Sequence, residues 1–184
     1  MKIRNGLVLV MAIALGATGC ASGGGSGGSG SSTQDLLAMA GGDAGVNPVN
    51  TDNTRAAEDH LEAAEDSDTP EEARQHYEMA ASAADLAIAE DGQNPLAYRL
   101  AAMAALGLED FETAGMHFDR AQEHRPVYEF DFVGIREAAW IEQYQLASPF
   151  VGSGDYETAA QYFENANAIY KSRPEAMVTL GQLY

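Results

Sequence analysis

One helical pattern occurs three times in this chain, and it limits the possible fold more than any other feature. The segments are "TPEEARQHYEMA", "EDFETAGMHFDRAQ" and "GDYETAAQYFENAN". Each places a small residue, an aromatic ring and a second small residue at i, i+4 and i+7, which is one stripe of a helix. The stripes are Ala73, Tyr77 and Ala80; Ala114, Phe118 and Ala121; and Ala159, Phe163 and Ala166. Small residues let a neighbouring helix approach, so three alternating copies predict an internal repeat of helix pairs.

The residues between and around these stripes also favour helices. From Thr54 onward Ala, Glu, Gln, Leu and Met dominate, and glycine and proline are confined to short interruptions. Asn94 before Pro95, Asp110 and Asp155 stand where helix N-caps are expected. The interruptions lie near Pro70, Pro95, Gly107, Pro126, Gly152 and Pro174. The chain is therefore predicted to be all-α over residues 54–184.

These residues resemble the tetratricopeptide repeat, a helix-turn-helix unit of 34 residues. The resemblance lies in Ala114, Phe118, Ala121 and Pro126, in Tyr98 of the preceding helix, and in Leu180, Gly181 and Tyr184 of the final segment. It implies helix pairs stacked as an α-solenoid. The alanines that begin the stripes are separated by 41 and 45 residues, a surplus of about two and about three helical turns over the family's period. We expect the first surplus in a long helix over 71–90 and the second within 128–154, where the sequence leaves the register open.

The end of the sequence has the first helix of a repeat without its partner. The next alanine of the pattern falls at position 193, beyond Tyr184. Met177, Leu180, Leu183 and Tyr184 are then expected to be exposed, whereas terminal caps of such arrays have polar outer faces. We expect the N-terminal part of a longer array. The alternative is a natural terminus that caps the stack or meets another subunit.

The first twenty residues have a different character. Lys2 and Arg4 precede an apolar run over 7–15 and the small residues 16–19, an order typical of a signal peptide over 1–19 and too short for a membrane span. The lone Cys20 follows directly. The segment "LGATGC" resembles the lipobox of bacterial lipoproteins, although Ala17 stands where that motif usually has Leu. The resemblance implies lipidation of Cys20, and Ala21 rather than Asp after it favours the outer membrane; a free or intermolecularly paired cysteine is the alternative.

The mature chain is expected to hang from that anchor by a flexible tether over 20–53. Its Gly/Ser tract "ASGGGSGGSGSSTQ" cannot bury enough surface to order itself. Without Lys2 and Arg4 the chain has 8 basic against 28 acidic side chains, a formal charge of −20. Such a surface repels phosphate backbones and anionic headgroups, which disfavours nucleic-acid binding.

No residue pattern indicates catalysis, a metal or a cofactor. The histidines His60, His76, His117 and His124 lack paired spacing and cysteine partners and are interpreted as surface or edge residues. Glu58, Glu62 and Glu65 are interpreted as one solvated helix side. Trp140 is predicted to be core rather than an exposed peptide clamp. We therefore predict that the chain is not an enzyme.

The resemblance implies function through a groove lined by the first helix of each repeat, which binds a protein or peptide partner. The positions it assigns to the groove are Leu96, Arg99, Met103, Tyr144, Gln145, Val178, Thr179 and Gln182. Because Arg99 is the one match to the residues that clamp a peptide's carboxylate in some family members, a carboxylate-terminated ligand is disfavoured. In layout the chain resembles repeat lipoproteins of outer-membrane assembly and pilus biogenesis, which implies a lipid-anchored scaffold on the periplasmic face of the outer membrane. The alternatives are the docking region of a larger enzyme with a catalytic domain beyond residue 184, and a structural lipoprotein that self-associates through its last helix.

Overall fold

A computed structural model describes residues 44–183 of the chain. This part contains seven α-helices and no strand, which confirms the all-α prediction for the residues described. The helices are α1 Asp52–Glu65, α2 Pro70–Glu90, α3 Pro95–Gly107, α4 Phe111–His124, α5 Tyr128–Ser153, α6 Tyr156–Ile169 and α7 Glu175–Leu183. The predicted signal peptide over 1–19, Cys20 and the tether up to residue 43 lie outside the described residues. No helix in the region described is long and apolar enough to cross a membrane.

The helices begin where the sequence places their caps. The Asn94 side chain accepts the Leu96 N–H at 3.1 Å, Asp110 accepts the Thr113 N–H at 3.1 Å, and Asp155 accepts the Thr158 N–H at 3.2 Å. Each bond satisfies a backbone donor that the first helical turn leaves unpaired. The predicted N-caps of α3, α4 and α6 are therefore confirmed.

The helices pack as consecutive pairs. α1 packs on α2, α3 on α4, and α5 on α6, while α7 packs against α6. The second and third stripes lie in the interior: Ala114, Phe118 and Ala121, and likewise Ala159, Phe163 and Ala166, are all buried. In the first stripe Ala80 is buried, whereas Ala73 and Tyr77 are only half-buried because α2 lies at the edge of the stack. The repeated stripes are thus the packing surfaces of successive pairs.

The third pair is displaced along the helix axis relative to the second. α4 and α6 run parallel, since Gly115 packs against Ala168 and Asp119 meets Lys171. By the repeat, Gly115 corresponds to Ala160 rather than to Ala168. Eight residues at 1.5 Å each amount to a shift of about 12 Å. The second surplus therefore lies in α5, whose 26 residues carry the chain past the end of α3.

α5 is continuous through a proline. Pro149 lies inside the helix, which ends at Gly154 with φ 81°. Its buried side chains are Tyr128, Phe132, Arg136, Ala139, Trp140, Gln143 and Ala147, which gives the register that the sequence left open. The burial of Trp140 at 4% exposure confirms its assignment to the core.

Residues 45–50 form an N-terminal strap on the helical domain. The Val46 N–H donates to the His124 carbonyl at 2.7 Å, and the Asn94 amide binds the main chain of Val49. α1 itself begins at Asp52, capped by Thr51. The ordered fold thus starts several residues before the boundary placed after residue 53, because buried polar side chains of α3 and of the α4–α5 loop bind this segment.

The last helix is less exposed than expected. Leu180 is only 6% exposed and packs in the core, whereas Met177 is 53% and Val178 is 58% exposed. The expectation that Leu180 is exposed is therefore wrong, because α6 covers that side of α7. The side chains of Leu183 and Tyr184 lie outside the described region.

Candidate functional site

The first helices of the later pairs run parallel across one side of the molecule. Arg99 of α3 lies over the ring of Tyr128 near the start of α5, with its guanidinium carbon 5.9 Å from the ring centre. Farther along, burial and the neighbouring charge of Glu109, just after α3, raise the pKa of Glu142 in α5. α7 continues the series, because its Thr179 hydroxyl lies 3.5 Å from the Tyr144 hydroxyl. We call the surface along α3, α5 and α7 the α3–α5–α7 face.

Seven of the eight positions assigned to the groove have side chains that reach the surface of these helices. Arg99, Met103, Tyr144 and Thr179 are half-buried, and Gln145, Val178 and Gln182 are exposed. Tyr144 stacks on Trp140 with ring centres 4.8 Å apart and meets Phe163 edge-on. Arg99 contacts the start of α5 through Tyr128, and Tyr144 lies sixteen residues farther along the same helix.

Leu96 differs from its assignment to the groove. It is 7% exposed and packs with Ala57 and Leu61 of α1 and with Leu100. The sequence of α3 is apolar on nearly every side, so it did not reveal which side faces α1. Leu96 is therefore a core residue that a ligand on this face does not touch.

Two arginines without an acidic partner flank Tyr128. The guanidinium carbons of Arg99 and Arg125 lie 5.9 Å and 5.7 Å from its ring centre. In the described region the other six basic side chains each form an ion pair with Asp or Glu, but these two do not. Burial raises the pKa of the Tyr128 phenol, although both arginines act in the opposite direction. In a chain with 28 acidic residues, this leaves uncompensated positive charge beside the face.

Arg125 was not among the candidates because nothing in its sequence context marks it. It stands alone before Pro126, and only the fold brings it next to Arg99. Arg125 adds positive charge beside Arg99, but it is 4% exposed and donates to the Val46 carbonyl, so the prediction that disfavours a carboxylate-terminated ligand is unchanged.

A second cluster that sequence reasoning missed joins α4, α5 and the α6–α7 loop. Arg136 donates from Nε to the Ile169 carbonyl at 2.7 Å and from Nη2 to Asp119 at 2.6 Å. Lys171 donates to the other Asp119 oxygen at 2.8 Å. Burial alone raises the pKa of the Asp119 carboxyl, but the bonds from Lys171 and Arg136 outweigh it and hold that pKa below its ordinary value. A sequence signal existed, since Arg136 lies in the apolar stripe of α5 at i+4 from Phe132.

This cluster serves packing more than ligand binding. A cavity of about 150 Å³ opens beside Arg136 and Lys171, but both cations already share an ion pair with Asp119. Arg136 is 5% exposed, and its bond to Ile169 secures the end of α6. We therefore treat it as a link between helix pairs.

The Arg173 side chain covers the ring of Trp140. Its guanidinium carbon lies 4.6 Å from the Trp140 ring centre, and it pairs with Glu137 at 2.6 Å. The indole Nε1 beneath is buried and has no hydrogen-bond partner within the described structure. Trp140 thus supports the face from below and does not line it.

The histidines lie in two separate places. The rings of His60 and His76 are 5.7 Å apart, and the rings of His117 and His124 both lie beside Tyr98. Burial lowers the pKa of His117, although Asp85 and Asp110 act to raise it. Over residues 44–183, no group of three or more His, Cys, Asp or Glu side chains is arranged to hold a metal ion. All four rings are half-buried, so they are edge residues more than surface residues.

In comparisons with known proteins, neither a protein-family model nor a curated protein matches this chain. The proposals that follow therefore depend on the sequence and on the geometry above.

Proposed function

We propose that this chain is a lipid-anchored scaffold of a bacterial cell envelope, built of tetratricopeptide-like repeats, that binds a protein partner through the α3–α5–α7 face. The observation that carries the proposal is the half-exposed position of Arg99 on that face, next to a second arginine, and its lack of a carboxylate partner in the described region. Stacked helix pairs commonly use such a face to hold a partner's peptide or helix.

The chemistry of the face favours an acidic, partly aromatic or aliphatic partner segment. Arg99 offers positive charge at one end, and Tyr144 offers a ring at the other. A guanidinium that pairs with a carboxylate of the partner forms a charge-assisted hydrogen bond, which is stronger than a neutral one. Because the rest of the surface is acidic, it repels an acidic segment everywhere except at the arginine end. This repulsion contributes to specificity.

Arg99→Glu is expected to reduce the amount of partner recovered at least tenfold when the tagged chain is used for affinity capture from native membranes. A tenfold loss corresponds to about 1.4 kcal/mol, which is modest for reversal of a contacting charge. The control is Arg120→Glu on α4, an exposed arginine paired with Glu123. Both variants make the same change in net charge, so only the position differs. Equal recovery with the two variants, or no partner with the unmodified chain, would sink the groove proposal.

Lipidation has a separate test. Cys20→Ser is expected to move the chain from the membrane fraction to the soluble fraction, because the thiol that accepts the lipid is lost. Metabolic labelling with a fatty-acid analogue checks the same point directly, since label should appear on the unmodified chain and not on the variant. Continued attachment of the Cys20→Ser chain would show that something other than this cysteine holds it.

A further inference from the structure

The strap is held by a small set of polar groups at the end of the stack where α1, α3 and α5 begin. The Val46 N–H donates to the His124 carbonyl at 2.7 Å, and Arg125 Nη1 donates to the Val46 carbonyl at 3.1 Å. Three residues on, Asn94 accepts the Val49 N–H at 3.1 Å and donates to the Val49 carbonyl at 2.7 Å. Val46 and Val49 are therefore each bound through both the backbone N–H and the backbone carbonyl.

These bonds recognise main chain and not side chain. Asn47, Pro48, Val49 and Asn50 are exposed, and Val49 keeps 48% of its surface open to solvent. Arg125 also donates to the Asn47 side-chain amide oxygen, but that bond is long at 3.5 Å. A different segment could make the same four main-chain bonds if glycine preceded its first bonded residue, because a Cβ at Gly45 (φ 74°) would overlap the His124 carbonyl oxygen.

The receiving groups are fixed by the helical domain independently of the strap. Asn94 is fully buried and also caps α3 through the Leu96 N–H. Arg125 is 4% exposed and lies against Tyr128. The helix-cap bond of Asn94 and the ring contact of Arg125 hold both side chains in position whether or not residues 46–49 are bound. The helical domain thus places these groups where they can bind a segment through its main chain.

We propose that the surface between Asn94 and Arg125 is a main-chain binding site for a peptide segment, which residues 46–49 occupy in cis and which a segment of a partner protein can occupy in trans. The first and fourth residues of that segment need free N–H groups, so proline is excluded there, while the third position accepts proline as Pro48 shows. An acidic residue at the second position suits Arg125, which has no carboxylate partner in residues 44–183. This site lies beside the α3–α5–α7 face and does not depend on it.

The test uses the full chain and a fluorescent peptide of residues 44–51, "AGVNPVNT". In the unmodified chain the tethered strap competes at high effective concentration, so binding of the peptide in trans should be weak. The double variant Val46→Pro, Val49→Pro removes both strap N–H donors and should bind the peptide at least tenfold more tightly by fluorescence anisotropy. Adding Asn94→Asp should reverse that gain, since Asp keeps the cap on α3 but cannot donate to the peptide carbonyl. An Asn47→Asp peptide should bind more tightly than the original, and a peptide with proline at 46 and 49 should not bind.

The proposal is overturned if the double variant has an unchanged circular dichroism spectrum and binds the peptide no better than the unmodified chain. If the double variant fails to fold, single changes in the strap supply the answer. Asn47→Asp should slow hydrogen exchange of the Val46 and Val49 amides at least threefold, and Asn47→Lys should accelerate it. Equal exchange rates in those two chains would also overturn it. None of these readouts involves the partner recovered through Arg99, so the two proposals fail separately.

Discussion

Gly115→Ala is expected to destabilise the folded chain by about 3 kcal/mol, the upper part of the usual range for overpacking. A Cβ at position 115 would overlap the carbonyl oxygen of Ala168 in α6. That atom belongs to the backbone, so no side-chain rotation can relieve the overlap. α4 and α6 would have to separate, and the buried contacts of Phe118 and Ile169 would loosen with them. Urea denaturation followed by circular dichroism measures the loss as a fall in the transition midpoint.

Gly134→Ala is the matched control, because the same methyl group there has the opposite consequence. Gly134 lies within α5 and an added Cβ meets nothing within 4 Å. Alanine is a better helix former than glycine by about 1 kcal/mol, so this variant should be more stable than the unmodified chain. If both substitutions stabilise the chain, the close approach of Gly115 to α6 is contradicted.

Comparison of the repeats shows why the stack was predictable and the shift was not. The alanine–aromatic stripes and the acidic caps are local patterns, and each required only the helix period to interpret. The displacement of α6 depends on which helix face Gly115 meets. One signal was present: the second copy has Gly115 where the third has Ala160. A glycine inside a helix costs stability and often marks a close approach by a neighbouring backbone.

The candidate face was predictable in part, for a related reason. The assignment of Arg99, Met103, Tyr144 and Thr179 to the groove is what the resemblance to the tetratricopeptide repeat implies. Leu96 and Leu180 were misplaced because apolar residues surround both helices on most sides, so composition did not distinguish the covered face from the open one. Arg125 and the strap could not be found locally, since their contacts join residues 78 and 79 positions apart.

Arg136→Met is expected to destabilise the chain by about 2 kcal/mol. Methionine keeps much of the apolar stem but leaves the buried Ile169 carbonyl without its donor at 2.7 Å, and a buried group left unpaired costs about 1–3 kcal/mol. Loss of the ion pair itself adds little to this destabilisation, because Asp119 is 42% exposed and keeps its pair with Lys171. The control is Arg120→Met, which removes an exposed pair with Glu123 and should cost less than about 0.5 kcal/mol.

The acid limb of the stability curve distinguishes the loss of an ion pair from a loss of packing alone. The pKa of Asp119 is held below its ordinary value of 3.8 by the bonds from Lys171 and Arg136, which outweigh burial. The unfolded chain therefore takes up this proton first as the pH falls, so the stabilisation is complete above 3.8 and is lost progressively below it. Because Arg136→Met removes one of the two cations, its unfolding free energy should fall less steeply below pH 3.8 than that of the unmodified chain. Parallel slopes in urea titrations across this range would mean that Arg136 acts only by filling space, and a steeper slope in the variant would contradict the assigned pairing.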